Sequence, residues 1–140
     1  MRILIYIILI NFSILNAQTF SIARINYGGG GDWYCDQSSI PNLLQYLESN
    51  TPISVENEKI HVSMGDENAH QYPYLYLTGH GNIKFSENEI ISLRSILMNN
   101  GFLHADDNYG MDASFRRELK RVFPNKELVP LPNDHPIFHS

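Results

Sequence analysis

YPYLYLTGHG, residues 72–81, sets five successive strand-forming side chains, Tyr74 to Thr78, directly before a Gly-His-Gly turn. A run without polar alternation suits a central strand covered on both faces, as happens in a parallel sheet. Upstream, SIARINY at residues 21–27 alternates and is rich in β-branched and aromatic residues, so it reads as a first strand running into Gly28, Gly29, Gly30 and Gly31. Ile40, Leu43, Leu44 and Leu47 then recur at helical spacing, with Ser38 or Ser39 available as an N-cap and Pro41 tolerable in the first turn. Asn50, Thr51 and Pro52 stop that helix, and KIHVS at residues 59–63 reads as a second short strand.

Downstream of the central strand, Ser86 with Glu89 three residues on forms a capping box, and Ile90, Leu93 and Leu97, with Ile96 beside them, line one side of a second helix ended by Asn100 and Gly101. FLHA at residues 102–105 reads as a fourth strand that ends at Asp106 and Asp107. Asp112 is placed to cap a third helix, with Phe115, Leu119 and Val122 inward and Arg116, Arg117, Lys120 and Arg121 outward or toward its C-terminal end. Pro124 ends it, and residues 128–131 suggest a last strand. Strands alternating with helices predict right-handed crossovers and one α/β domain over residues 18–140: an open, mostly parallel sheet with helices on both faces, in flavodoxin-like layering.

The chain begins MRILIYIILINFSILNA, a basic start, an apolar run and a small residue at position 17. These are the parts of a secretory signal peptide over residues 1–17, so the expected location is outside the cytoplasm, in the periplasm, with no membrane span after cleavage. The net charge is −5, and the leader's Arg2 is its one charged residue, which puts residues 18–140 at −6. An acidic surface without a Lys/Arg run disfavours nucleic acid as a partner. Cys35 is the single cysteine, which excludes an internal disulfide and a multi-thiolate metal cluster. Without an adjacent basic partner it reads as a small, half-buried side chain.

Ligands of open parallel sheets sit beyond the carboxyl ends of the strands. That rule singles out residues 28–33, 78–82 and 106–110, and within them Gly29, Gly30, Asp32, Trp33, Gly79, His80, Asp106 and Asp107 as candidate binding residues. The glycine run lacks the lysine of a phosphate-gripping loop and the prompt helix of a dinucleotide fingerprint, so it reads as a loop closing over a polar ligand or as a plain connection. His80 with Asp107 is the candidate catalytic pair. His80, Asp107 and His135 are the candidate ligands should a divalent metal be the cofactor. His135 and His139 have helical metal-pair spacing, but Pro136 opposes a helix containing both. Neither a His-Glu-x-x-His nor a Gly-x-Ser-x-Gly pattern occurs.

Taken together, ARINYGGGGDWY (23–34), YPYLYLTGHG (72–81), NGFLHADDNYG (100–110), SFRRELKRVFP (114–124) and LPNDHPIFHS (131–140) resemble the bacterial domain-of-unknown-function family 4159 over nearly all of residues 20–140. The resemblance implies a fold related to the class I glutamine amidotransferase-like domains. Those enzymes carry a cysteine nucleophile at a strand-end turn, where this chain has Asp106 and Asp107, so the same resemblance disfavours glutamine hydrolysis. It carries over His80, Asp106, Asp107, Asp134 and His135 as motif residues. Family members continue past the last block, which implies a C-terminally shortened copy of the domain. Three readings follow: a domain binding a small polar ligand or protein partner at the strand ends, a metal-assisted hydrolase using His80 with Asp106 or Asp107, and a truncated or purely structural interaction domain.

Overall fold

A computed structural model describes residues 19–139, so the leader expected over residues 1–17 lies outside the described residues. Four strands, β1 (Ala23–Ile25), β2 (Ile60–Val62), β3 (Tyr74–His80) and β4 (Phe102–Tyr109), form one sheet in the order β2-β1-β3-β4. Every neighbouring pair is parallel. Helix α1 (Ser39–Asn50) joins β1 to β2, α2 (Glu87–Met98) joins β3 to β4, and α3 (Asp112–Val122) follows β4.

Alternation along the strands splits the core in two. Ile22 and Tyr76 pack with Ile40 and Leu44 of α1. Ala23, Ile25, Leu75 and Leu77 pack with Ile90, Leu93 and Ile96 of α2 and Val122 of α3. Each such buried aliphatic stabilises the fold by roughly 1.5–3 kcal/mol. The result is the expected layering, with helices on both faces of a parallel sheet. No described helix is long and apolar enough to cross a membrane.

Local chemistry explains where the elements begin, and where they depart from the expected boundaries. Ser86 and Glu89 make the expected capping box at α2. Helix α3 is capped differently: Met111 holds the N-cap position, and the Asp107 carboxylate accepts the N–H groups of Met111 and Asp112, both at 2.9 Å. Asp112 instead pairs with Arg116 one turn on. β4 does not end at Asp106; it continues parallel to β3 as far as Tyr109, its backbone hydrogen bonds outweighing the weak strand preference of Asp and Asn. Residues 128–131 are not a strand; they run irregular and exposed.

Arg116, Arg117 and Lys120 of α3 are exposed, as expected, while Arg117 and the half-buried Arg121 also reach back to a buried carboxylate. Glu118 is buried and accepts the Phe85 N–H at 3.1 Å, together with Arg117 and Arg121. Arg117 donates to the carbonyl of Ile83, Arg121 donates to that of Phe85, and Ser114 Oγ accepts the Ile83 N–H at 3.0 Å. The loop leaving β3 thus has its backbone groups satisfied by one face of α3. Arg94 of α2 closes the other end of α3 by donating to the carbonyls of Arg121 and Val122.

This strand order positions a site. From β1 the chain moves outward to β2, then crosses back past β1 to β3 and outward again to β4. The strand order reverses between β1 and β3, and the rule for open parallel sheets puts a ligand site beyond the carboxyl ends of these two neighbouring strands.

Candidate functional site

The two glycine-bearing loops leaving β1 and β3 meet there. Lys84 N–H donates to the Gly28 carbonyl at 2.9 Å, Gly31 N–H to the Asn82 carbonyl at 3.0 Å, and the Asn82 side-chain amide to the Gly29 carbonyl at 2.9 Å. A side chain at Gly31 would place its Cβ 2.8 Å from the His80 carbonyl oxygen, so only glycine allows this approach. The run at residues 28–31 is thereby docked edge to edge on residues 80–84, while Gly30 keeps open space around it.

His80 is turned outward by a kink. Gly79 and Gly81 have φ values of +147° and +84°, and the β3–β4 register shifts at Gly79/His80. Into this kink reaches Asp32 from the loop after β1. Its Oδ1 accepts the His80 backbone N–H at 2.5 Å, and its Oδ2 lies 3.0 Å from the imidazole Nδ1. The His80 N–H in the first place, and then the imidazole, hold the Asp32 carboxyl below its ordinary value against the opposing effect of burial. An Nδ1 facing a carboxylate carries the proton, which leaves Nε2 as the free acceptor on a side chain 52% exposed.

Cys35 completes the group. One ligand atom from each of Asp32, Cys35 and His80 lies within 4.8 Å of the others. The Asn108 side-chain amide, from the end of β4, donates to Cys35 Sγ at 3.3 Å. Burial, followed by the carboxylates of Asp32 and Asp36, pushes the thiol up, and Asn108 and Arg24 offset only part of that. Beneath the loop, burial and the same two residues, Asp32 and Cys35, push the Tyr27 hydroxyl up to about 12. Its Oη donates to the Thr78 carbonyl at 3.1 Å.

The loop itself hangs on Arg24, a β1 residue only 3% exposed. Its guanidinium donates to the carbonyls of Trp33 at 3.1 Å and Asp36 at 2.9 Å, to that of Cys35, and to Ser39 Oγ at 3.2 Å. It also lies 5.4 Å from the centre of the Tyr76 ring. Five donors in a rigid fork suit this task, since several carbonyls are satisfied by one side chain. Sequence reasoning passes over Arg24; the signal it carries is a charged residue inside a stretch otherwise suited to burial on both faces.

The remaining expected residues go elsewhere. Asp106 and Asp107 stand on opposite faces of β4: Asp106 accepts from the Tyr76 hydroxyl at 3.3 Å, while Asp107 caps α3. The acidic partner of His80 is consequently Asp32, not Asp107. Trp33 packs against the main core and makes edge contacts with Tyr34 and His61, so it acts as a packing residue. His135 sits in the short turn at Pro136–Phe138, where its Nδ1 accepts the Ile137 N–H at 3.2 Å, apart from the Asp32, Cys35 and His80 group. A concavity of about 670 Å³ lies between α3 and residues 126–128 and includes none of these side chains.

A comparison with protein families matches residues 21–140 to a family described as a domain of unknown function, DUF4159. No curated protein matches the chain.

Proposed function

Because the chain belongs to the DUF4159 family, whose description carries no activity, we propose a function from the site itself: an exported α/β domain that binds a small polar ligand over the carboxyl ends of β1 and β3. The observation that carries this reading is the double hold of Asp32 on the backbone and ring of His80. It fixes an exposed imidazole with Nε2 outward, at the place where an open parallel sheet leaves room for a ligand. Export rests on the leader-like pattern of residues 1–17.

Glutamine hydrolysis does not suit these residues. It needs a thiolate, and Cys35 sits beside two carboxylates that favour the neutral thiol. A hydrolytic second reading has one specific observation in its favour: a carboxylate-oriented imidazole is the arrangement that makes a general base. In that reading the base is His80 held by Asp32.

The test is an NMR titration that follows the His80 ring protons while amino acids, sugars, dicarboxylates and inorganic phosphate are added in turn. The reading requires at least one of these to shift His80 in a saturable way and to lose affinity in His80→Ala. A panel that leaves His80 unmoved, or binding that is unchanged in that variant, sinks it.

A further inference from the structure

We propose that Asp32, Cys35 and His80 form a three-ligand site for a borderline-soft divalent ion of the Zn²⁺ kind, with its remaining position open to solvent. The inference rests on the polar-ligand reading of the same strand ends and names one ligand class for it.

The donor set points to the metal. One carboxylate oxygen, one thiol sulfur and one imidazole nitrogen lie mutually within 4.8 Å, close enough for small side-chain rotations to bring all three onto one ion. Sulfur and nitrogen donors select Zn²⁺ or Co²⁺ over Mg²⁺ and Ca²⁺, which take oxygen ligands. Three protein ligands with an open fourth position is the arrangement of catalytic rather than structural zinc sites. Openness is evident, since the His80 and Asp32 side chains are 52% and 33% exposed.

Each donor is also held from behind, as metal ligands are. Asp32 is fixed by the His80 N–H, Cys35 by Arg24 through its carbonyl and by Asn108 at its sulfur, and His80 by the kink between Gly79 and Gly81. One further carboxylate favours a cation here: Asp36 lies 3.9 Å from Cys35 Sγ. Binding exchanges the thiol proton for the metal, so one proton leaves to solvent and no electron moves.

The experiment is a titration of the purified full chain with Co²⁺, read by visible absorption, and with Zn²⁺ in competition against a chromophoric chelator. The expected result is one ion per chain, a sulfur-to-cobalt charge-transfer band, and protection of Cys35 from alkylation. Cys35→Ser should abolish the band, and Cys35→Ser, His80→Gln and Asp32→Asn should each weaken binding more than the roughly 10–100-fold typical of losing an outer partner. Circular dichroism of each variant separates ligand loss from misfolding, and the conservative Cys35→Ser decides between the outcomes if another variant unfolds. Absence of uptake overturns the proposal, as does uptake that survives Cys35→Ser but disappears in His135→Ala. In the metal-free protein, polar molecules that still shift His80 would leave the broader binding reading standing while the metal assignment falls.

Discussion

Asp32 and His80, 48 positions apart in sequence, are joined twice, once through the His80 backbone N–H and once through its ring. One carboxylate therefore decides both where the strand-end turn sits and which imidazole nitrogen meets a ligand.

That bond gives the fold an acid-sensitive element. The Asp32 carboxyl is held below its ordinary value, so its contribution is complete above the ordinary carboxylate range and is lost as pH falls through the lowered value. Urea unfolding midpoints measured across acid pH should drop for the wild type and drop less for Asp32→Asn. Parallel pH profiles would show that the interaction contributes nothing to stability.

Gly79 tolerates no side chain. A Cβ there would fall on the Tyr27 hydroxyl and approach Asp32 Oδ1 to 3.1 Å. Gly79→Ala should cost about 1–3 kcal/mol in denaturant unfolding, from overpacking added to backbone strain at φ +147°. Adding Tyr27→Phe should recover part of the loss. A double variant no more stable than Gly79→Ala would assign the whole cost to the backbone.

Replacing Arg24 by Met leaves the carbonyls of Trp33, Cys35 and Asp36 without their shared donor. The expected loss is about 1–3 kcal/mol for each buried acceptor left unpaired, accompanied by faster alkylation of Cys35 as the loop comes loose. Arg24→Lys should rescue little, because a single ammonium cannot reproduce the fork. Unchanged alkylation would mean that the loop is held by other contacts.

Thr78 offers a prediction of opposite sign. Its Oγ1 is buried and has no hydrogen-bond partner among the described residues. Thr78→Val keeps the shape and removes an unsatisfied polar group, so it should be neutral or stabilising by up to about 1 kcal/mol in thermal and urea unfolding. Leu93→Ala, at a position 1% exposed, should by contrast cost roughly 2–5 kcal/mol in the same assays.

The elements were legible because each carries a local signal. The continuous apolar run at Tyr74–Thr78, the Ser86/Glu89 box and the spacing of Ile90 and Leu93 need no knowledge of distant partners. His80 was legible too, as an imidazole between glycines at a strand end. Its partner was not, since nothing near Asp32 distinguishes a residue that reaches over to the next strand end from one that simply faces water. Asp106 and Asp107 misled for the same reason: two adjacent carboxylates look like one site until strand geometry sends one to Tyr76 and the other to the start of α3. Arg24, Ser114 and Glu118 lay hidden because their tasks are set by carbonyls and N–H groups in loops, which carry no side-chain pattern. Cys35 read as inert from its sequence neighbours, and the fold brought His80 and Asn108 to it.

The staple between α3 and the loop after β3 ties the strand-end group to a helix outside it. Ile83 and Phe85 find their hydrogen-bond partners on Ser114 and Glu118, some thirty residues downstream. Helix α3 contributes none of Asp32, Cys35 and His80, yet it holds the backbone of the loop that leaves His80.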